Sequence, residues 1–137
     1  GLGYFGMQRF ADAVVAQPDL FANLRLLDVH DNAVIADGIV ALADVVHTAP
    51  ALTSLNLNNC LMGVLGALRL SSALIMCTNL QELHMSNNRL APGGIGALAK
   101  ALPMYQELRV FDVSHNGIDA QSVREGLAIT LPDCRRL

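Results

Sequence analysis

Asp28, His30, His84, Asp112 and His115 are the side chains in this sequence best suited to hold a transition metal. Such a site needs three or four donors converging at about 2 Å. These five recur along the chain at intervals that spread them over a surface, so no metal is expected. Gly94-Ile95-Gly96-Ala97-Leu98-Ala99 matches a relaxed dinucleotide fingerprint, G-x-G-x-x-A, with Asp112 near the acidic offset that would meet a ribose. Gly94, however, is the third member of a series with Gly38 and Gly66. Five residues also separate it from Asn88, too many for a tight strand-to-helix phosphate turn. No cofactor is expected. The sequence offers no Ser-His-Asp elbow, no paired-carboxylate cleft and no activated cysteine, so the chain reads as no enzyme.

The elements that carry these residues follow a clock. Asn32, Cys60, Asn88 and Asn116 are evenly spaced, since 60−32, 88−60 and 116−88 each give 28. Each follows the same apolar frame: Leu24-x-x-Leu27-x-Val29, Leu52-x-x-Leu55-x-Leu57, Leu80-x-x-Leu83-x-Met85, Leu108-x-x-Phe111-x-Val113. In the third unit Leu83 and Met85 alternate with Glu82, His84 and Ser86, the period of a half-buried strand. Leu90 turns inward, and Pro92-Gly93-Gly94 reads as a loop. Ile95, Leu98, Ala99 and Leu102 then follow the helix period, and Pro103 stops the helix. Strands are expected near 24–30, 52–58, 80–86 and 108–114, with a leading helix over 6–17. The first unit has room for an extra helical turn near Gln17 to Phe21. The fourth carries one extra residue before Leu127.

A strand–loop–helix unit cannot cover its own apolar face, whereas stacked units cover one another. Strands would align into a parallel sheet with helices behind. Because a helix (about 10 Å) is wider than a strand spacing (about 4.8 Å), the stack should bend with the sheet on the concave side. The amides of Asn32, Asn88 and Asn116 can join the turns of adjacent units in a ladder, since each offers two donors and an acceptor. Cys60 can fill that role only weakly.

The frame is L-x-x-L-x-L-x-x-[N/C], and through it the chain resembles the leucine-rich repeats, in particular the ribonuclease-inhibitor-like class with long repeats and true helices. The resemblance covers nearly the whole chain, from about Leu2 to Leu137. It implies an α/β fold: one leucine-rich-repeat domain over 1–137, a horseshoe segment with a parallel β-sheet on the concave side and α-helices on the convex side. It also implies a non-enzymatic protein–protein interaction module or scaffold. Two alternatives are a regulatory segment similar to the Ran GTPase activator and the sensor region of a NOD-like receptor. The former family carries a strongly acidic tail, where this chain ends Arg135-Arg136-Leu137.

Net charge is −3 with no basic stripe to meet phosphates, so nucleic acid is not an expected partner. No run of about 18 apolar residues is present to insert in a membrane. Cys77 and Cys134 hold equivalent sites two units apart, roughly 10 Å by strand spacing, beyond the reach of a disulfide. Free thiols suit an intracellular, cytoplasmic setting. Leu2 matches Val34, Met62, Leu90 and Ile118, and Leu137 matches the first leucine of a strand. Neither end reads as a cap, so the expectation is a segment of a longer solenoid.

Outward-pointing strand residues form rows across the units. They are Arg25, Thr53, Gln81, Arg109; Leu26, Ser54, Glu82, Val110; Asp28, Asn56, His84, Asp112; and His30, Asn58, Ser86, Ser114. Asp31, Asn59, Asn87 and His115 adjoin them. The face is polar and mixed in sign. It suits recognition of a protein partner, and it equally suits a merely solvated sheet. Arg25, Asp28, His30, Asn56, Asn58, Glu82, His84, Arg109 and Asp112 are the residues expected to carry recognition. A second candidate is the apolar stretch around Val64 and Leu65, read as a loop, with Ile75 and Met76 on the helix that follows. It is either a docking patch centred on Leu65 or local core filling around Cys60.

Overall fold

Each strand turns its middle residue inward and its two flanking residues to the other face, and the middle residue is buried in the first three strands. The computed structural model describes residues 1–119 and 121. Its strands are β1 (Leu26–Asp28), β2 (Ser54–Asn56), β3 (Glu82–His84) and β4 (Val110–Asp112). They lie in the order β1-β2-β3-β4, all parallel. Register places Leu27, Leu55, Leu83 and Phe111 in one row, the first three buried and Phe111 half-buried.

The regular strands are shorter than expected, yet backbone pairing continues on both sides of them. Thr53, Gln81 and Arg109 each donate their N–H to the equivalent residue of the preceding unit, at 2.8 Å. Beyond the strands, Val29, Asp31, Leu57, Asn59, Met85 and Asn87 donate to the following unit at 2.8 to 3.1 Å. The strand geometry ends because side chains compete with the ladder. Asp28 Oδ1 accepts from the His30 N–H, Asn56 Oδ1 from Asn58, and Asp112 Oδ1 from Ser114. Asp31, Asn59, Asn87 and His115 then adopt positive φ of 54° to 55°. Asn, Asp and His tolerate this region better than other residues with a Cβ.

The helices are α1 (Gly3–Ala16), α2 (Pro18–Phe21), α3 (Ile35–His47), α4 (Gly63–Leu74) and α5 (Ala91–Ala99), followed by a 3₁₀ turn at Leu102–Met104. The extra turn of the first unit is a separate helix, because Pro18 supplies no N–H to continue α1 and sits well at a helix start. Two expected loops are helical instead. Pro92, Gly93 and Gly94 lie in the first turn of α5, where proline's fixed φ is already helical. Val64 and Leu65 lie in the first turn of α4. Pro103 is inside the 3₁₀ turn, so α5 ends before it.

Successive helices pack side by side, α1 on α3, α3 on α4 and α4 on α5. Their apolar stripes meet the sheet's buried row in one core that includes Val34, Leu42, Leu52, Leu57, Leu70, Leu80 and Leu98. Gly94 is buried at the α4–α5 contact. A Cβ there would stand 3.1 Å from Leu90 Cβ and 3.2 Å from Ala67 Cβ. Gly94, the first glycine of the G-x-G-x-x-A run, thus serves helix packing, while a Cβ on Gly96 would meet nothing within 4 Å. Tyr105 is buried and donates its hydroxyl to the Leu74 carbonyl at 2.7 Å. The helix expected in the fourth unit lies, apart from Gln121, outside the described residues, as do Cys134 and Leu137.

Candidate interaction surface

The turn that leaves each strand positions everything on the sheet's polar face. Asn88 is fully buried at its centre. Its amide nitrogen donates to the carbonyls of Leu57 (2.6 Å), Met85 (3.1 Å) and Ser86 (3.1 Å). Its oxygen accepts from the N–H groups of Cys60 (2.9 Å) and Met62 (3.3 Å) in the preceding unit. Asn116 repeats this pattern on Met85, Val113 and Ser114, and accepts from Asn88 and Leu90. Asn32 binds the Val29 and His30 carbonyls and accepts from the Leu2 N–H. Cys60 substitutes a thiol, donating to the Val29 carbonyl at 3.3 Å. Burial pushes that thiol up to about 11, as it does the buried Cys77, so both stay protonated. The described residues contain no buried polar side-chain atom without a hydrogen bond.

Outside this ladder the rows carry lateral links. Thr53 Oγ1 donates to the Arg25 carbonyl (3.0 Å), and Ser54 Oγ donates to Glu82 Oε2 (2.9 Å). Asn56 Nδ2 donates to Asp28 Oδ2 (3.2 Å). Along the rim, Asn87 Nδ2 donates to Asn59 Oδ1 (3.0 Å), and Asn59 Nδ2 donates to Asp31 Oδ1 (2.8 Å). His84 stands opposite Asp112 in register and breaks the local pattern, since it offers no oxygen to the Ser86 N–H. Asn58 Oδ1 of the preceding unit takes that N–H instead, at 2.7 Å.

One charged group is well defined. His30 Nδ1 lies 2.6 Å from Asp28 Oδ1, and its Nε2 lies 3.6 Å from Asp31 Oδ2. The hydrogen bond to Asp28 raises the imidazole above its ordinary 6.5, aided by the charges of Asp28 and Asp31. Partial burial pushes the Asp28 carboxyl up, but the hydrogen bonds from His30 and Asn56 outweigh it and leave a net depression. Asp112 is held low chiefly by the Ser114 N–H, with His84 and His115 assisting. Arg109 lies 3.9 Å from Glu107, and both are exposed.

Of the nine residues expected to carry recognition, the structure joins Asp28, His30 and Asn56 into one hydrogen-bonded group. Glu82 is tied to Ser54, and Asn58 to the Ser86 backbone. Arg25 and Arg109 stand in the same outward row, three units apart, with Thr53 and Gln81 between them. Among the described residues no three of His, Cys, Asp and Glu converge on a point that could hold a metal ion. Asp28, Asn56 and Asp112 have a second task that composition did not reveal, ending their strands. The signal was present in the sequence, as Asx residues two positions before the backbone groups they bind.

The four expected patch residues are divided. Val64 is half-buried against α5, and a Cβ on Gly93 would touch its Cγ1 at 3.5 Å. Leu65, Ile75 and Met76 are exposed. No helix among the described residues is long and apolar enough to cross a membrane.

No curated protein matches the chain. Residues 77–99, which run from Cys77 through β3 and Asn88 to the end of α5, match the leucine rich repeat family. The chain therefore carries a leucine-rich repeat, a fold element of protein interaction and generally not of catalysis, set within a frame that returns once in every unit.

Proposed function

We propose that the chain is a recognition module of the ribonuclease-inhibitor-like kind, holding a protein partner on the polar face of its sheet. The observation that carries this reading is the lateral bonding of the outward rows. Side chains from Asp31 through Asn59 to Asn87, and from Asp28 to Asn56, are held by their counterparts in the adjacent unit. Ordered polar groups on a rigid sheet lose little conformational entropy when a partner docks. Helices of 9 to 13 residues behind three-residue strands support the long-repeat class and a stack bent toward its sheet. Two buried reduced thiols support an intracellular setting.

The test is affinity purification with quantitative mass spectrometry, comparing the native chain with a His84→Ala, Arg109→Ala variant. Both residues lie on the polar face outside the Asn ladder, so the melting temperature should hold. Recovery of specific partners should fall about tenfold or more, as when central contacts of an interface are removed. Equal recovery of every partner by both forms would refute the assignment.

A further inference from the structure

The outward side of α4 carries more exposed apolar side chains than the same side of its neighbours. Leu65 and Leu68 on α4, and Ile75 and Met76 in the turn just after it, are exposed there, Leu65 by 69 % and Met76 by 57 %, with the exposed Arg69 beside them. Leu65, Leu68, Ser72 and Ile75 follow intervals of three, four and three, the seam by which two parallel helices pair. The equivalent positions of the preceding unit, on α3, include Asp37, Val40 and Asp44. Those of the following unit, on α5 and just after it, include Gly93, Gly96 and Lys100. The α4 helix packs against both neighbours, and Lys100 shares a shallow groove with Leu68, Ser72 and Ile75. The outer surface therefore has a flank of Asp37, Val40, Asp44 and His47, an apolar ridge, and a flank of bare glycine ending in a lysine. Among the described residues Asp37, Asp44 and Lys100 take part in no ion pair.

We propose that two copies of the chain meet on this surface, about a two-fold axis parallel to α4. That rotation lays α4 along its copy in the same direction and sets α3 over the other copy's α5. Leu65, Leu68 and Ile75 then pack on their own counterparts, with polar Ser72 in the seam to hold register. Asp44 and Lys100 occupy equivalent positions of their units, so the rotation sets them at equal height on facing flanks, twice per dimer, where the long lysine side chain reaches across the splay of the two bent stacks toward the aspartate. Val40 projects over Gly96, where a Cβ would find open space. The interface is self-complementary, as a two-fold contact requires. A two-fold axis perpendicular to the helices would instead lay Asp44 on Asp44, which charge repulsion disfavours.

Sedimentation of the 137-residue chain tests the assignment. The native chain should dimerise with rising concentration. Leu68→Glu should leave a monomer. Gly96→Arg should do the same while its melting temperature holds or rises, because arginine is a better helix former than glycine. Asp44→Lys and Lys100→Asp should each weaken the dimer about tenfold, and the two together should restore it. A native chain that stays monomeric at high micromolar concentration overturns the proposal, whatever else covers α4. So does a dimer indifferent to both Leu68→Glu and Gly96→Arg, or a double charge swap weaker than either single.

Discussion

At the scale of the residue, the buried amides after β3 and β4, Asn88 and Asn116, outweigh their neighbours. Truncating Asn88 removes the partner of three carbonyls and two N–H groups. Each such group left unmet inside the core costs roughly 1–3 kcal/mol, less whatever water and relaxation recover. Asn88→Ala should therefore destabilise by about 3 kcal/mol, and Cys60→Ala, which loses one weak thiol donor and little volume, by about 1 kcal/mol. Denaturant midpoints measured side by side check this, and equal losses would refute the unequal roles. His30 offers a second measurement. Its raised pKa means that its bond to Asp28 is complete below 6.5 and fades as pH rises through the folded value. The depressed Asp28 sets the opposite boundary, because the bond is lost as pH falls through that carboxyl's folded value, under its ordinary 3.8. The pair is intact between those limits. In an NMR titration His30 should protonate above pH 6.5 and return toward that value in Asp28→Asn. Both groups are exposed, so global stability should scarcely change.

At the scale of the element, the turns after the strands are strained in an unequal way. Leu61, Arg89 and Gly117 occupy equivalent places with φ of 55°, 57° and 68°. Only glycine sits there without a Cβ penalty, and a left-handed residue costs roughly 1–2 kcal/mol otherwise. Arg89 is exposed. Arg89→Gly should stabilise by about 1 kcal/mol and raise the melting temperature by about 3 °C, after allowing for glycine's greater unfolded entropy. A lower midpoint would show that the arginine makes contacts worth more than the strain. The places of the strands were legible in the sequence, though not their short lengths, because a period of two recurs before each Asn or Cys of the 28-residue series. The helix starts were not. Pro92-Gly93-Gly94 looks like a loop by residue type, yet Gly94 is demanded by the approach of Ala67 and Leu90, the first of them a constraint from the neighbouring unit. Val64 is hidden for the same reason. Local propensity cannot report contacts made across a whole unit of chain.

At the scale of the molecule, two surfaces flank one core. The polar sheet face carries ordered hydrogen-bonding groups, and the α4 ridge carries exposed leucine, isoleucine and methionine. In the proposed dimer the helices meet, so both polar faces stay open and a divalent partner would gain avidity. The polar rows were legible from strand alternation, but their lateral bonds were not, because Asp31, Asn59 and Asn87 declare no geometry by type. The ladder has a further consequence. Its inter-unit bonds join groups separated by close to one full period, so a whole unit copied or excised in frame would regenerate the donors and acceptors at the seam. A single inserted residue has no such remedy within the strand or the asparagine turn. It must be taken up outside them, and the first unit stores its surplus where helix returns to strand, as α2. Growth by duplication is thus written into the bonding pattern, with the slack kept away from the strand and its turn.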